Sequence, residues 1–329
     1  MNQRHRAKVR VDALEPTSTD AEAVERQKAE AKIAADPKRD FPIEALGSGS
    51  DYSTFLEHLG IPALNVQYGD EGDSGGVYHS RYDTFEHHTK FVDPGLVYDA
   101  LLAKTIGRMV LRIADSDLPV QQASNFAETM ARYIGEIQKL AKDKREAADT
   151  QAKVLKDAAF KLAADPTKTS GVPTPLKPVP KFEFAPLENA VDRLKKSAKA
   201  YDDAFAKNAT HLAPDRRSKL QSLMQTIDQT LAPETGLPGR GWFKNLIYAP
   251  GRYTGYGAKT LPGVREAIED ERFGDANKYA KITADALNAY SARLDQATAV
   301  LNGSASASPN RASTSPAPAR SPGKSAPAK

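Results

Sequence analysis

A chain of 329 residues is long enough for two domains, and its 40% hydrophobic content can fill a real core, while 27% charged residues indicate a wet, helix-rich chain. It has no cysteine, which excludes disulfides, thiolate zinc sites and cysteine nucleophiles. It has no uninterrupted apolar run of about 18 residues that would cross a membrane, and its charged N-terminal stretch lacks the apolar centre of a secretory signal. The net charge of +4 equals the charge of Arg311, Arg320, Lys324 and Lys329 in the acid-free tail from Asn302 to Lys329. The body is therefore neutral and gives nucleic-acid binding no global electrostatic support.

Along the chain, the first forty residues are charged and helical in pattern, without a strong apolar stripe. From Leu46 to about Leu118 the pattern is α/β. Ser50 or Asp51 is placed to cap a helix whose apolar face is Phe55, Leu56 and Leu59, and Gly60 closes it. Ile61 to Tyr68 then reads as a strand, followed by an acidic glycine-rich loop, Gly69 to Gly76. Asp93-Pro94 starts the next helix, which carries Leu96, Leu101, Leu102, Ile106, Val110, Leu111 and Ile113.

From about Gln121 to Leu301 the chain is nearly all helix. Four apolar stripes predict an antiparallel bundle, and they centre on Met130–Ile137, Leu187–Tyr201, Leu220–Leu231 and Tyr279–Leu301. Asp165 to Pro180 is a proline-rich extended loop. Leu237 to Gly263 is rich in glycine and aromatics, which is unusual for a connector and marks a functional segment. The tail beyond Asn302 is of low complexity and is expected to be disordered.

A hydrolytic zinc site needs three or more His, Asp or Glu ligands per metal and an open position for water. None of the six histidines lies in a His-x-Asp or His-Glu-x-x-His pattern. His87-His88 and His58 read as surface residues. His79 is the best ligand candidate, because it follows the acidic glycine loop that holds Asp70, Glu71 and Asp73 and precedes Asp83. The bland reading of those acids is a solvated loop. Gly47-Ser-Gly-Ser lacks the spacing of a nucleophile elbow. A glycine-rich turn entering a helix can hold an anion, or can simply be a tight turn.

The segments Ala45-Leu-Gly-Ser-Gly-Ser-Asp-Tyr, Phe55-Leu-Glu-His-Leu-Gly-Ile-Pro, Tyr78-His-Ser-Arg-Tyr-Asp-Thr-Phe, Phe91-Val-Asp-Pro-Gly and Leu111-Arg-Ile-Ala-Asp-Ser-Asp-Leu-Pro resemble, in this order, the M28 zinc peptidases of the glutamate carboxypeptidase II and transferrin receptor branch. Gly236-Leu-Pro-Gly-Arg, Asn245-Leu-Ile-Tyr-Ala-Pro-Gly and Leu261-Pro-Gly resemble that branch's helical dimerisation domain. The match is collinear from near Lys8 to near Leu301. The resemblance implies the C-terminal portion of an α/β zinc-peptidase domain with an incomplete mixed sheet over 1–120, an all-α helical-bundle dimerisation domain over 121–301, and a disordered tail over 302–329.

Family members bind two zinc ions through two histidines and three carboxylates, with a glutamate as general base for the attacking water. The resemblance makes His79 the last zinc ligand. The chain contains no Glu-Glu pair and no His-x-Asp, so the general base is missing from these residues and no catalytic residue is assigned. Ser48, Gly49, Ser50, Tyr78 and Tyr256 match substrate-pocket positions. Asn65 and Gln67 stand where glutamate-selective members carry two arginines, and Gly255 stands where they carry a lysine. Losing that arginine clamp argues against glutamate selectivity.

Three functional readings follow. The chain is the C-terminal remainder of a two-zinc aminopeptidase or carboxypeptidase, inactive alone and holding no zinc stably. Or it is a non-enzymatic homodimer or receptor-type module. Or it is one half of a split enzyme. The second expects a stable, metal-free homodimer through the helical domain, and the third a chain that is insoluble or partly unfolded until its partner is present. The partners expected overall are a second copy of the chain through the helical domain and a peptide where the site is complete, with no nucleic acid. Family members are often secreted, periplasmic or membrane-anchored, and the compartment stays open.

Overall fold

The computed structural model describes residues 43, 45–67, 77–161 and 171–303. The helix expected in the first forty residues, the acidic loop at 69–76 and the low-complexity tail lie outside these residues.

The helical stripes form as the spacing demands. Helix α1 is Val97–Ala114, α2 is Ala123–Lys156, α3 is Ala185–Asn208, α4 is Pro214–Gln225, α5 is Pro262–Glu269 and α6 is Phe273–Asn302. Helix α3 lies along α6 and packs on its other side against α2, while α4 and α5 close on α6 from its two ends. The core is the set of facing stripes: Met130, Ile137, Leu187, Leu194, Tyr201, Leu287 and Leu294 are all buried. Each such leucine contributes about 1.5–3 kcal/mol by leaving water. The stripes on α2, α3 and α6 are buried as their period predicts. The third breaks after Gln225, and its last part, Ile227–Leu231, is a 3₁₀ turn.

Prolines at the first turns of α3, α4 and α5 start those helices without forfeiting a hydrogen bond. Helix α2 begins instead on a tertiary acceptor. The Asp202 carboxylate on α3 takes the N–H groups of Ala123 (3.0 Å) and Ser124 (2.9 Å). The described part of the proline-rich segment, from Gly171, runs beside α2. Arg145 donates to the carbonyls of Val179 and Pro180, and Gln151 bonds Thr174 and Leu176.

The glycine-aromatic segment is folded onto the bundle. Strands β1, Tyr248–Pro250, and β2, Ala258–Thr260, form an antiparallel hairpin with Tyr248 opposite Thr260 and Pro250 opposite Ala258. Leu237, Leu246, Ile247 and Leu261 join the core, and the Tyr279 hydroxyl donates to the Gly236 carbonyl at 2.9 Å.

The N-terminal segment departs from the α/β expectation. Residues 61–67 form no strand, and among the described residues the β1–β2 hairpin is the only sheet. A strand exists only where a neighbour completes its ladder of hydrogen bonds, and no described residue offers one. Residues Thr54–Leu59 form a π-helical turn rather than an α-helix. With more residues per turn, its inward face is rotated, so Leu56 and Glu57 are buried while Phe55 and Leu59 are about half exposed. The helical stretch opens at Tyr52, directly after Asp51, with the Ser50 carbonyl accepting from Ser53 N–H (3.1 Å), and Gly60 ends it in the left-handed conformation (φ 62°) as expected.

Helix α1 starts at Val97, three residues later than Pro94. Asp93 still caps it from a distance, accepting from the N–H groups of Val97 (3.0 Å) and Asp99 (2.9 Å). No residue of α1 is buried.

Candidate substrate-pocket rim at the junction with the bundle

Two loops meet at the junction. Arriving from the N-terminal segment, Ala45–Ser50 lies on the tight turn Thr254–Gly257 between β1 and β2. That turn is self-supporting. Gly257 N–H donates to the Thr254 carbonyl (3.0 Å), and the Thr254 hydroxyl donates to the Gly257 carbonyl (2.7 Å). On it, Ser48 N–H donates to the Tyr256 carbonyl (3.2 Å) and the Ser48 hydroxyl to the Gly255 carbonyl (3.4 Å). Tyr52 ties the loop back on itself by donating to the Ser48 carbonyl (3.0 Å).

The backbones approach so closely that side chains are excluded. A Cβ at Gly47 would collide with the Tyr256 carbonyl. One at Gly49 (φ 103°) would stand 2.6 Å from the Tyr256 ring. Tyr78 completes the group. Its phenol lies near that of Tyr256, and this neighbour, with the charge of Asp83, holds its pKa above the usual phenol value.

A cleft of about 440 Å³ opens beside this junction, between the N-terminal segment and the bundle. Leu46, Leu64, Asn65 and Gln67 form one wall, and Tyr133 of α2 and Tyr248 of β1 form the other. Among the described residues no charged side chain lines it. Burial raises the pKa of both phenols, so they remain neutral hydrogen-bonding groups. Two carboxamides, two phenols and apolar walls suit an uncharged group that can both donate and accept.

The seven residues matched to the substrate pocket thus divide. Ser48, Gly49, Tyr78 and Tyr256 converge on the stacked loops. Asn65 and Gln67 line the neighbouring cleft. Ser50 is exposed, and its carbonyl accepts from Ser53 N–H (3.1 Å).

His79 follows Tyr78, in the left-handed region (φ 61°), with its ring stacked on the Tyr78 ring at 3.8 Å between centroids. Among the described residues it is not grouped with other His, Asp or Glu ligands. The donors among the described residues do not by themselves make a two-zinc centre. The one group of three potential ligands among these residues is His88, Asp93 and Asp99. There the His88 ring lies 2.9 Å from Asp99, and Asp93 is engaged by the N–H groups that start α1. Burial of Asp93 opposes its charge, but the N–H groups of Asp99, Tyr98 and Val97 and the His88 ring outweigh it and lower its pKa. The group reads as a helix cap, with His88 a surface residue that pairs with Asp99.

Sequence reasoning missed three features here. Glu57 is fully buried, and burial pushes its pKa up to about 8 against the opposing charge of Arg240. Asp228, in the 3₁₀ turn, is pushed up to about 6 by burial. Arg240 forms a two-pronged ion pair with Glu266 of α5, both contacts at 2.9 Å, and Glu266 also accepts from Arg252 N–H. The Gly-Arg-Gly and Arg-Glu-Ala contexts of the last pair carry no signal of a buried ion pair. His58 is likewise not simply a surface residue, because it stacks on Trp242 and meets the Trp242 carbonyl at 2.8 Å.

Residues 182–295 match the family model described as the transferrin receptor-like dimerisation domain. A probable glutamate carboxypeptidase of Arthroderma benhamiae is 26% identical over 69% of this chain and 27% of its own length. The probable glutamate carboxypeptidase LAMP1 of Arabidopsis thaliana is 29% identical over the same shares. The aminopeptidase NAALADL1 of Rattus norvegicus is 33% identical over 27% of this chain and 13% of its own length. The aligned part of the chain thus spans about a quarter of the length of the carboxypeptidase relatives. In domain match and relatives alike, the chain is similar to proteins of the glutamate carboxypeptidase and transferrin receptor-like branch.

Proposed function

We propose that this chain supplies the dimerisation surface and the C-terminal rim of the substrate pocket of an M28-like zinc exopeptidase, and that these residues do not catalyse on their own. The observation that carries the reading is the junction itself. Ser48 and Gly49 are pressed onto Tyr256, with Tyr78 close by, so pocket-matched residues from both segments meet at one place. The relatives named as carboxypeptidases and an aminopeptidase support the reaction class. The cleft holding Asn65 and Gln67, uncharged among the described residues, supports a substrate whose side chain is neutral rather than a glutamate.

Helix α1 supports a larger assembly. Leu101, Ile106, Val110, Leu111 and Ile113 are all exposed on a helix that buries nothing among the described residues. We place the remaining zinc ligands on the polypeptide that covers this face. His79 is the ligand that the described residues contribute.

The second reading, a non-enzymatic homodimerisation or receptor-type module, is favoured by one observation. The residues matched by the dimerisation model lie in a core that draws almost nothing from the N-terminal segment. Assay of the purified chain with added zinc against N-blocked and C-blocked dipeptides separates the possibilities. A dimer without turnover fits the proposal. Chelator-sensitive hydrolysis by the chain alone contradicts it. Turnover that appears when the remaining part of the family's peptidase domain is supplied in trans favours the peptidase reading over the non-enzymatic one.

A further inference from the structure

The π-helical turn Thr54–Leu59 is where the N-terminal segment is seated on the bundle. Among the described helical elements before Asp115, it alone buries side chains. Its seat is main chain. The Glu57 carbonyl accepts the N–H groups of Lys244 (2.7 Å) and Asn245 (3.2 Å). The Asn245 side chain donates to the Leu56 carbonyl (3.1 Å) and accepts from Ile247 N–H (2.9 Å). Gly60 lies against the backbone of Gln229 so closely that a Cβ would stand 2.8 Å from its Cα.

Within this well-bonded seat the Glu57 carboxyl is an exception. It is fully buried, and neither of its oxygens has a hydrogen-bond partner. The nearby cations make their bonds elsewhere: the Arg240 guanidinium bonds Glu266 and the Pro250 carbonyl through its terminal nitrogens while its Nε–H stays buried without a partner, and the Lys244 ammonium bonds Glu234 at 2.8 Å. The other titratable groups around the seat are Tyr52 ahead of the turn, His58 within it, Tyr248 on β1 and Asp228 in the 3₁₀ turn. None of these supplies a positive charge in contact with the carboxyl. A buried carboxylate without a partner is strongly disfavoured, whereas the neutral acid is not.

We propose that Glu57 is a proton-operated latch: with its proton it lets the 54–59 turn seat on the dimerisation domain, and on losing the proton it drives that turn off, loosening the Ser48–Tyr256 junction beside it. The direction follows from linkage. The seated acid titrates at about 8, above its ordinary value of 4.5. Seating is therefore at full strength below about 4.5. It weakens about tenfold per pH unit as pH rises through that window, and it levels off above about 8.

Hydrogen exchange on the full chain tests this, read by mass spectrometry on the peptide holding the Lys244 and Asn245 amides. The ratio of protection in Glu57→Gln to that in the natural chain cancels the intrinsic pH dependence of exchange. The latch predicts a ratio near one at pH 5 that grows by roughly a hundred- to a thousandfold by pH 8. The Asp228→Asn variant keeps the trend of the natural chain. A ratio constant across pH, or lower protection in Glu57→Gln at pH 8, overturns the latch. Glu57→Met provides a second neutral occupant. If both neutral variants lose the seat at pH 6 while circular dichroism shows the bundle intact, the proposal is also overturned.

Discussion

Gly49 and Tyr256 are complementary surfaces, because the ring of Tyr256 fills the space that any side chain at position 49 would need. The backbone at 49 is also in a region that L-residues rarely adopt (φ 103°). Gly49→Ala therefore combines strain with overlap and is expected to weaken the junction by about 1–3 kcal/mol. Limited proteolysis checks it, with cleavage before residue 60 accelerating while the bundle's melting transition is unchanged.

Asp202 does for α2 what a capping residue would do, from another helix. Asp202→Ala leaves the Ala123 and Ser124 amides without their acceptor and is expected to cost about 1–2 kcal/mol, read from urea unfolding of the bundle. Asp202→Asn is expected to fall between the two, since the amide keeps one acceptor oxygen.

The Arg240–Glu266 pair fastens the glycine-aromatic segment to α5 and is nearly dry, with Glu266 5% exposed. Removing one partner strands the other charge, so Glu266→Ala is expected to destabilise by about 3–5 kcal/mol. Replacing both residues with methionine and leucine is expected to recover much of that loss. The comparison of single and double variants by chemical denaturation is the check.

Asp228 gives the bundle a pH dependence of its own. Its folded-state pKa of about 6 lies above the ordinary 3.8, so its contribution to stability is complete below about 3.8 and is lost as pH rises through 6. Asp228→Asn is expected to flatten the melting temperature between pH 4 and 7, and to raise stability at pH 7 by about 1–3 kcal/mol. A steeper pH dependence in the variant would contradict the assignment.

The bundle was legible because its information is local and periodic. Ile137, Leu194, Tyr201 and Leu294 sit on stripes that only a helix buries together. Asp93 and Gly60 declared helix ends by their chemistry, and the structure moves one of those ends by three residues without changing the logic. The strand at 61–67 was not legible in the same way, because a strand is a property of two segments and the pattern of one cannot supply the other.

Glu57 escaped for a different reason. A π turn shifts the inward face by about one position, so the residue beside the apolar stripe goes in and two members of the stripe come out. At the site, the glycines and Tyr256 were readable as close-contact residues. The separation of Asn65 and Gln67 into an adjoining cleft depends on α2 and β1, which lie far along the chain.

The central claim is that this chain contributes a pocket rim and a dimer surface, not a metal centre. The most direct test is the zinc content of purified protein, exchanged free of chelator, by elemental mass spectrometry on a sample of known oligomeric state. The account predicts a homodimer with zinc well below one per chain. Two tightly held zinc ions per chain would contradict it and make these residues a peptidase in their own right.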